Sequence, residues 1–219
     1  MKPKRIILVR HGQSVGNASK ELYESTPDHA LKLTVQGRHE AFDAGLEIRD
    51  LIGDESVYVY VSPYVRTRET LTEIDRTIGS NIKTVRQDPR IREQDWGHLR
   101  AVDVNEEINK KRDEYGTFFY RIPDGESGAD VYDRVSTFLD TMHRDFEKLD
   151  FPDNVLIVSH GLTIRAFLMR WFNWTVHYFE GLRNIPNAGV IVMELRPSRD
   201  PRQKSKYALV TQLKRHERE

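Results

Sequence analysis

The sequence predicts an α/β protein, specifically a three-layer α/β/α sandwich with a mostly parallel central sheet and an inserted helical cap. Short apolar runs rich in β-branched residues alternate with longer segments whose apolar residues recur at helical spacing, as in strands joined by helices. Two of the runs, residues 6–9 and 155–158, each lead into a His-Gly pair. Because ligands of wound α/β sheets collect beyond the carboxyl ends of the strands, we expect both histidines on one rim.

The composition favours a single domain spanning residues 1–219. A length of 219 residues suits one large domain, no linker divides the chain, and 38% hydrophobic residues supply a core under a surface rich in charge. The 34 Lys and Arg residues balance the 34 Asp and Glu residues, so that the formal net charge is +0. This balance argues against nucleic acid or an anionic membrane as a partner held by bulk charge.

The absence of cysteine and the shortness of the apolar runs exclude further classes. Without cysteine there is no disulfide, no thiolate nucleophile and no Cys-based metal site. The basic start at residues 1–5 precedes an apolar run that is too short for a signal peptide, and no stretch is long enough to span a bilayer. The sequence therefore predicts a soluble, cytoplasmic protein.

The first strand is followed by a polar segment and a long helix. Residues 16–32 predict a short helix and a loop over the strand ends. Thr34 is the predicted N-cap of a helix that ends at Gly53. The predicted buried stripe of this helix consists of Phe42, Leu46, Ile48, Leu51 and Ile52.

The second strand, residues 57–61, leads directly into a further helix. Ser62 is the predicted N-cap of that helix, with Pro63 at the first helical position. Arg66 then falls in the first turn, near the positive end of the helix dipole, where an anion is favoured. Residues 81–87 predict a third, weaker strand.

An inserted cap is predicted over about residues 98–125, where the pattern becomes irregular. It contains a charged helix near residues 102–115 and follows a loop, residues 90–97, that is dense in charge. Ser127 and Asp130 resemble a capping box and begin the clearest helix of the chain. The apolar residues of this helix are Val131, Val135, Phe138, Leu139, Met142 and Phe146.

The last third predicts the strand before the second His-Gly pair, a helix, a short helix near residues 174–179, and closing strands at 190–195 and 207–211. An aromatic cluster accompanies these helices. Its members are Trp171, Phe172 and Trp174, which we interpret as core or subunit interface rather than a cofactor site. The sequence therefore leaves open whether the chain forms a homodimer.

A set of polar residues is expected to meet at the sheet rim, namely Arg10, His11, Asn17, Arg66, Glu93 and His160. Two guanidinium groups are rigid forks suited to oxyanions, which indicates a tetrahedral anion such as phosphate. A histidine beside such cations stays neutral, and a neutral ring nitrogen is a competent nucleophile toward phosphorus. A carboxylic acid can give the departing oxygen its proton, and Gly12 lets a backbone N–H approach the ligand. The other histidines lack metal-ligand spacing, so no metal site is predicted.

Several segments carry these residues as a combined signature. They are Leu8-Val9-Arg10-His11-Gly12 with Gln13-Ser14 and Asn17, Ser62-Pro63 with Arg66-Thr67-Arg68 and Thr70, Glu93 with Gly97, Gly125-Glu126-Ser127, and Ser159-His160-Gly161. In this order they resemble the motifs of the histidine phosphatase (phosphoglycerate mutase-like) superfamily. The resemblance covers almost the whole chain and is therefore highly specific.

The resemblance implies a phosphohistidine at His11, with a phosphate pocket completed by Arg10, Gly12, Asn17, Arg66, His160 and Gly161. Members with His-Asp at the final motif take the catalytic acid from there, whereas the His-Gly of this chain points to Glu93. Glu93 would protonate the leaving group and then activate water. The implied activity is a metal-independent phosphomonoesterase that acts on a small phosphorylated metabolite without a cofactor.

The acid loop departs from that of phosphoglycerate mutases, which typically reads Glu-Arg-His-Tyr-Gly before a lysine that grips the substrate carboxylate. Here Gln94 follows Glu93, no matching lysine is present, and Arg100 or Arg121 would have to substitute. The departure favours a phosphatase and leaves a mutase dependent on 2,3-bisphosphoglycerate as the alternative. A catalytically silent phosphate-binding interaction protein is the alternative of another class, disfavoured because every candidate catalytic residue is intact.

Overall fold

A mostly parallel six-stranded sheet forms the centre of the computed structural model, which describes residues 2–98, 101–197 and 206–216. Its strands are β1 (Arg5–Arg10), β2 (Val57–Val61), β3 (Ile82–Gln87), β4 (Asn154–Ser159), β5 (Val190–Arg196) and β6 (Lys206–Leu209). They lie in the order β3-β2-β4-β1-β5-β6. The first four strands are parallel, whereas β5 pairs antiparallel with β1 and β6 antiparallel with β5. The predicted fold class is confirmed.

Helices connect these strands at the places that the sequence pattern predicts. They are α1 (Val15–Ala18), α2 (Val35–Ile52), α3 (Val65–Ile78), α4 (Val102–Tyr115), α5 (Gly128–Asp145), α6 (Gly161–Phe172) and α7 (Val176–Glu180). Two predicted caps are confirmed, because the Thr34 side chain accepts from the Gly37 N–H and Ser127 forms a capping box with Asp130. The final strand ends at Leu209, two residues earlier than predicted. In the parts of the chain described above, no helix is long and apolar enough to cross a membrane.

The central strands β1, β2 and β4 have buried side chains on both faces, which explains their unbroken apolar runs. In β1, Ile6 and Leu8 join a core cluster with α5 and α6, while Ile7 and Val9 join a second cluster with α2 and α3. All four side chains are 0% exposed. Helices on both faces of a parallel sheet leave its strand ends as the open edge at which a site can form.

The buried face of α2 differs from the predicted stripe. Ile48 and Ile52 are buried as predicted, but the other buried positions are small residues. They are Gly37, Ala41, Ala44 and Gly45. The larger residues Phe42, Leu46 and Leu51 are only half-buried. The reason is close packing against α3, since a Cβ on Gly45 would lie 3.0 Å from the Cα of Ile74.

The cap segment and the loop after α1 together flank the strand ends. Helix α4 lies against the 3₁₀ turn Lys20–Glu24, and the Val102 N–H donates to the Glu24 carboxylate at 3.0 Å. Leu99 and Arg100, at the start of the predicted cap, lie outside the described residues. The aromatic cluster of Trp171, Phe172 and Trp174 is partly buried against the larger core cluster.

Candidate active site

The register of β1 and β4 brings the two distant histidines together. Arg10 pairs with Ser159 as the last residues of these parallel strands, so that His11 and His160 follow side by side. Their ring centroids lie 5.2 Å apart, and the residues are 3% and 0% exposed. The two imidazoles are therefore buried neighbours at the carboxyl edge of the sheet.

The hydrogen bonds of His11 determine which ring nitrogen carries the proton. Nδ1 lies 2.8 Å from the carbonyl oxygen of Gly12, which can only accept, so Nδ1 must donate. Nε2 lies 3.2 Å from the Arg66 Nε, whose N–H can only donate. The partners therefore assign the neutral tautomer with its lone pair on Nε2, the atom on the Arg66 side.

Burial and nearby cations keep both histidines neutral. Burial lowers the pKa of His11 well below its usual range, and the charges of Arg66 and Arg10 lower it further. The pKa of His160 is lowered in the same direction by burial, and further by Arg66. A neutral imidazole has the free lone pair that a nucleophile requires.

Ser62 contacts His160 instead of capping a helix. Helix α3 begins at Val65, and its N-cap position is occupied by Tyr64 without a side-chain cap, so the predicted Ser62–Pro63 cap is wrong. The Ser62 hydroxyl lies 2.8 Å from the Nε2 of His160. This contact follows from strand register, because the Ser62 N–H donates to the Val158 carbonyl beside β4. The other ring nitrogen of His160, Nδ1, is buried and lacks a hydrogen-bond partner among the described residues.

Arg66 is bound on both sides, by His11 and by an acidic residue that sequence reasoning missed. Its side chain is 3% exposed, and its two terminal nitrogens donate to the Asp28 carboxylate at 2.8 and 3.2 Å. Nη1 also donates to the Asp28 main-chain carbonyl at 2.6 Å. The carboxylate thus occupies the fork of the guanidinium, where a phosphate would bind in the same geometry. Only the polar Pro27-Asp28 turn marked this position in the sequence.

Arg10 is the second cation close enough to lower the pKa of His11. Its Nη1 donates to the carbonyl of Ile185, while its Nε is buried and lacks a hydrogen-bond partner among the described residues. A buried guanidinium N–H that is left without an acceptor favours an anion nearby.

Glu93 is half-buried on the cavity wall, and its pKa is raised. Burial is the main cause, and it outweighs the opposing effect of the Arg66 charge. One carboxylate oxygen accepts from the Gln94 N–H at 3.0 Å. A carboxyl group with a raised pKa keeps its proton to higher pH than an exposed one, as a general acid requires.

The Gly125-Glu126-Ser127 segment holds the loop that carries Glu93. The Glu126 carboxylate accepts from the Asp95 N–H at 2.9 Å and pairs with Arg92 and with Arg134, the latter at 3.0 Å. Arg134 also donates to the Glu93 carbonyl at 3.1 Å. Gly125 is required by close approach, since a Cβ there would lie 2.4 Å from the Asp95 carbonyl oxygen.

Three predicted binding residues have structural partners of their own. The Gly12 N–H donates to the Thr70 hydroxyl at 3.1 Å, and a Cβ on Gly12 would lie 2.2 Å from the Gly37 carbonyl oxygen. Close packing therefore requires a glycine at this position. At Gly161 a Cβ would lie 2.0 Å from the Asn184 side chain. Asn17 lines the cavity, while its side-chain oxygen caps α1 by accepting from the Ser14 N–H.

A cavity of about 370 Å³ adjoins this cluster through Arg66, which contacts His11, whereas Arg10, His11 and His160 do not line it. Arg66 and Glu93 lie on its walls, together with the missed residues Asp28, Tyr23 and Tyr64. The cap contributes the α4 side, including Asn105 and Asn109. The volume lies within the range of small-molecule sites.

The profile of the histidine phosphatase superfamily (branch 1) matches residues 6–205. The chain belongs to the histidine phosphatase superfamily. Phosphoglycerate mutase-like protein AT74H of Arabidopsis thaliana is 47% identical over 214 residues, covering 90% of this chain and 76% of its own length. Broad-range acid phosphatase DET1 of Saccharomyces cerevisiae is 32% identical over 290 residues, covering 90% and 87% respectively.

Solved structures share the fold of this histidine phosphatase superfamily enzyme at lower sequence identity. A mycobacterial glucosyl-3-phosphoglycerate phosphatase, in its complex with VO3, superposes with a TM-score of 0.71 at 20% identity. The match covers 95% of this chain and 98% of that one. Within residues 2–98, 101–197 and 206–216, no group of three or more His, Asp or Glu side chains is arranged to hold a metal ion.

Proposed function

We propose that this histidine phosphatase superfamily enzyme hydrolyses small phosphomonoesters through a phosphohistidine on the Nε2 of His11. The observation that carries the proposal is the hydrogen-bond pattern of His11, which leaves the lone pair on Nε2 beside Arg66. The yeast relative, a broad-range acid phosphatase, supports the same reaction class. The proposal includes neither a metal nor an organic cofactor.

In the first step, the phosphate of the substrate takes the N–H groups of Arg66 and Arg10 and displaces the Asp28 carboxylate. The Nε2 lone pair of His11 attacks phosphorus, a P–N bond forms, and the P–O bond to the leaving group breaks. Neutral Glu93 gives its proton to the departing oxygen, so that an alcohol leaves. The guanidinium groups and His160 stabilise the charge on the equatorial oxygens.

In the second step, the Glu93 carboxylate takes a proton from water, and the water oxygen attacks phosphorus. The P–N bond breaks, His11 recovers its lone pair, and inorganic phosphate leaves. Glu93 is protonated again for the next cycle. The fixed tautomer of His11 is maintained throughout by the Nδ1–H bond to Gly12, in the way that a second ring hydrogen bond orients catalytic histidines.

Hydrolysis is favoured over phosphoglycerate mutase activity by the surroundings of the acid loop. Arg121 is one of the two arginines considered above for binding a substrate carboxylate. It pairs with Asp130 at 2.7 Å and donates to the Gly125 carbonyl. It does not line the cavity. Arg100, the other candidate, lies outside the described residues. Activation by 2,3-bisphosphoglycerate would favour the mutase.

The test is turnover of 4-nitrophenyl phosphate in EDTA by the wild type, His11→Ala and the control His39→Ala. His39 is exposed on α2, away from the cavity. We expect His39→Ala to match the wild type and His11→Ala to lose all measurable activity. Activity that survives in His11→Ala contradicts the proposal. A wild type that binds phosphate without turnover indicates the silent binding protein.

A further inference from the structure

The cavity, at about 370 Å³, is much larger than a phosphoryl group bound at Arg66. Arg66 contacts His11 and lies on the cavity wall, and the rest of the lining belongs mainly to the cap, the acid loop and the segment after α1. This remaining space faces the leaving group of the substrate. Its lining therefore determines which phosphomonoesters fit.

The described wall of this space offers little to a second anionic group. Apart from His98, and from Glu93, which carries its proton in the first step, its charged residues are acidic at Asp28, Asp95 and Glu106 and basic at Lys20 and Arg66. Both basic residues have acidic partners, since Arg66 pairs with Asp28 and Lys20 lies 3.6 Å from Glu106. A further carboxylate or phosphate on the leaving group would meet like charge there.

Among the described residues, Arg112 is a further cation, and it lies behind the wall. The guanidinium carbon of Arg112 lies 5.3 Å from the ring centre of Trp96, and its Nη2 donates to the Gln94 side chain at 3.3 Å. Trp96 lines the cavity, whereas Arg112 does not. An anionic leaving group is therefore separated from this charge by the indole ring.

The remaining lining consists of aromatic rings and uncharged polar groups. Tyr23, Tyr64 and Trp96 supply rings, and Asn105 and Asn109 supply amides one turn apart on α4. Burial raises the pKa of Tyr23 to about 12 and that of Tyr64 to about 12, so both phenols stay neutral. Neutral phenols and amides donate to and accept from hydroxyl groups, and aromatic rings pack against cyclic groups.

From this lining we infer that the enzyme prefers phosphomonoesters whose leaving group is an uncharged, ring-bearing alcohol, and that it discriminates against leaving groups with a second anionic charge. The inference rests on the proposed function and adds the substrate class. Selection among leaving groups is then made by Trp96 and by the face of α4 that carries Asn105 and Asn109.

The first experiment compares phenyl phosphate with 4-carboxyphenyl phosphate, which differ by one carboxylate. The carboxylate does not make phenoxide a poorer leaving group, so a slower reaction reports recognition. We expect kcat/KM to be about tenfold lower for the carboxylated substrate, because like charges oppose its binding. Trp96→Leu raises KM for phenyl phosphate several-fold through lost ring packing and leaves KM for a ringless alkyl phosphate within about twofold.

A charge added to the wall should reverse the preference. Asn109→Lys places a cation in the cavity, and we expect it to raise kcat/KM for 4-carboxyphenyl phosphate relative to phenyl phosphate about tenfold. Val104→Lys is the matched control, since Val104 is exposed on the same helix but does not line the cavity. This control should leave the ratio of the two substrates unchanged.

The outcomes separate the inference from the proposed function. If His11-dependent turnover of phenyl phosphate is observed but the carboxylated substrate reacts equally well or better, the inference is overturned and the phosphatase proposal stands. An Asn109→Lys ratio equal to that of Val104→Lys also overturns it. If the wild type turns over neither substrate, the proposed function itself fails.

Discussion

The Asp28 carboxylate and a substrate phosphate compete for the same donors of Arg66, which yields a quantitative prediction for Asp28→Asn. The substitution preserves side-chain shape and keeps the main-chain carbonyl bond to Nη1 at 2.6 Å. It replaces two charge-assisted hydrogen bonds, at 2.8 and 3.2 Å, with a single neutral acceptor, because the amide nitrogen cannot accept from Arg66. Inorganic phosphate then displaces a weaker partner when it binds.

The magnitude follows from the exposure of the pair. Hydrogen bonds to charged groups contribute about 1.5–3 kcal/mol when well buried. Arg66 is 3% exposed, but the Asp28 side chain is 26% exposed, so water screens part of the interaction. We therefore take about 1.4 kcal/mol, which corresponds to about a tenfold lower Kd for inorganic phosphate.

Isothermal titration calorimetry with inorganic phosphate measures this change in Kd directly. The matched control is Asp43→Asn, because Asp43 is exposed on α2. The phosphate-free variant should also unfold at a lower temperature than the wild type, because Arg66 loses its anionic partner in a buried position. Added phosphate should raise its Tm more than that of the wild type. An unchanged or higher Kd for phosphate refutes the competition and indicates that Asp28 instead positions Arg66 for catalysis.

Further predictions concern Glu93 and its support. Glu93→Gln should release nitrophenolate from 4-nitrophenyl phosphate in a burst equal to the enzyme concentration. Turnover after the burst should be about 10²–10⁴-fold slower than in the wild type, because the variant cannot activate water. Steady release without a burst contradicts the role of Glu93 as the base. For an alkyl phosphate, kcat/KM of the wild type should fall as pH rises through the raised pKa of Glu93, because the acid form is consumed, and a pH profile that is flat over this limb argues against Glu93. Glu126→Ala should lower the free energy of unfolding by about 2–3 kcal/mol in urea titrations, because it leaves Arg92 and Arg134 without their shared carboxylate. It should also lower kcat, because the loop that carries Glu93 loses its support. An unchanged kcat would show that this ion-pair network does not position Glu93.

Strand pattern and motif order were sufficient to predict the sheet and the pairing of its two histidines. His11 and His160 each follow an apolar run, and parallel strands in register necessarily bring their next residues together. The charged helix predicted near residues 102–115 corresponds to α4.

What the sequence could not show depends on tertiary contacts between distant segments. Ser62 before Pro63 fits the rule for a helix N-cap, but the neighbouring strand directs its hydroxyl to His160. Asp28 lies in an aperiodic turn, and nothing local indicates that its partner is Arg66. Hydrophobic periodicity does not predict the buried Ala and Gly face of α2, because it gives weight to large residues, whereas close helix packing selects small ones.

The central claim is a covalent phosphoryl group on His11, and a trapping experiment tests it most directly. The Glu93→Gln variant is mixed with ³²P-labelled 4-nitrophenyl phosphate, quenched in alkali and digested with a protease. The account predicts a base-stable, acid-labile label on the peptide that contains His11, at about one equivalent per chain, and none in Glu93→Gln combined with His11→Ala. A label on another peptide, or turnover without any labelled protein, would contradict it.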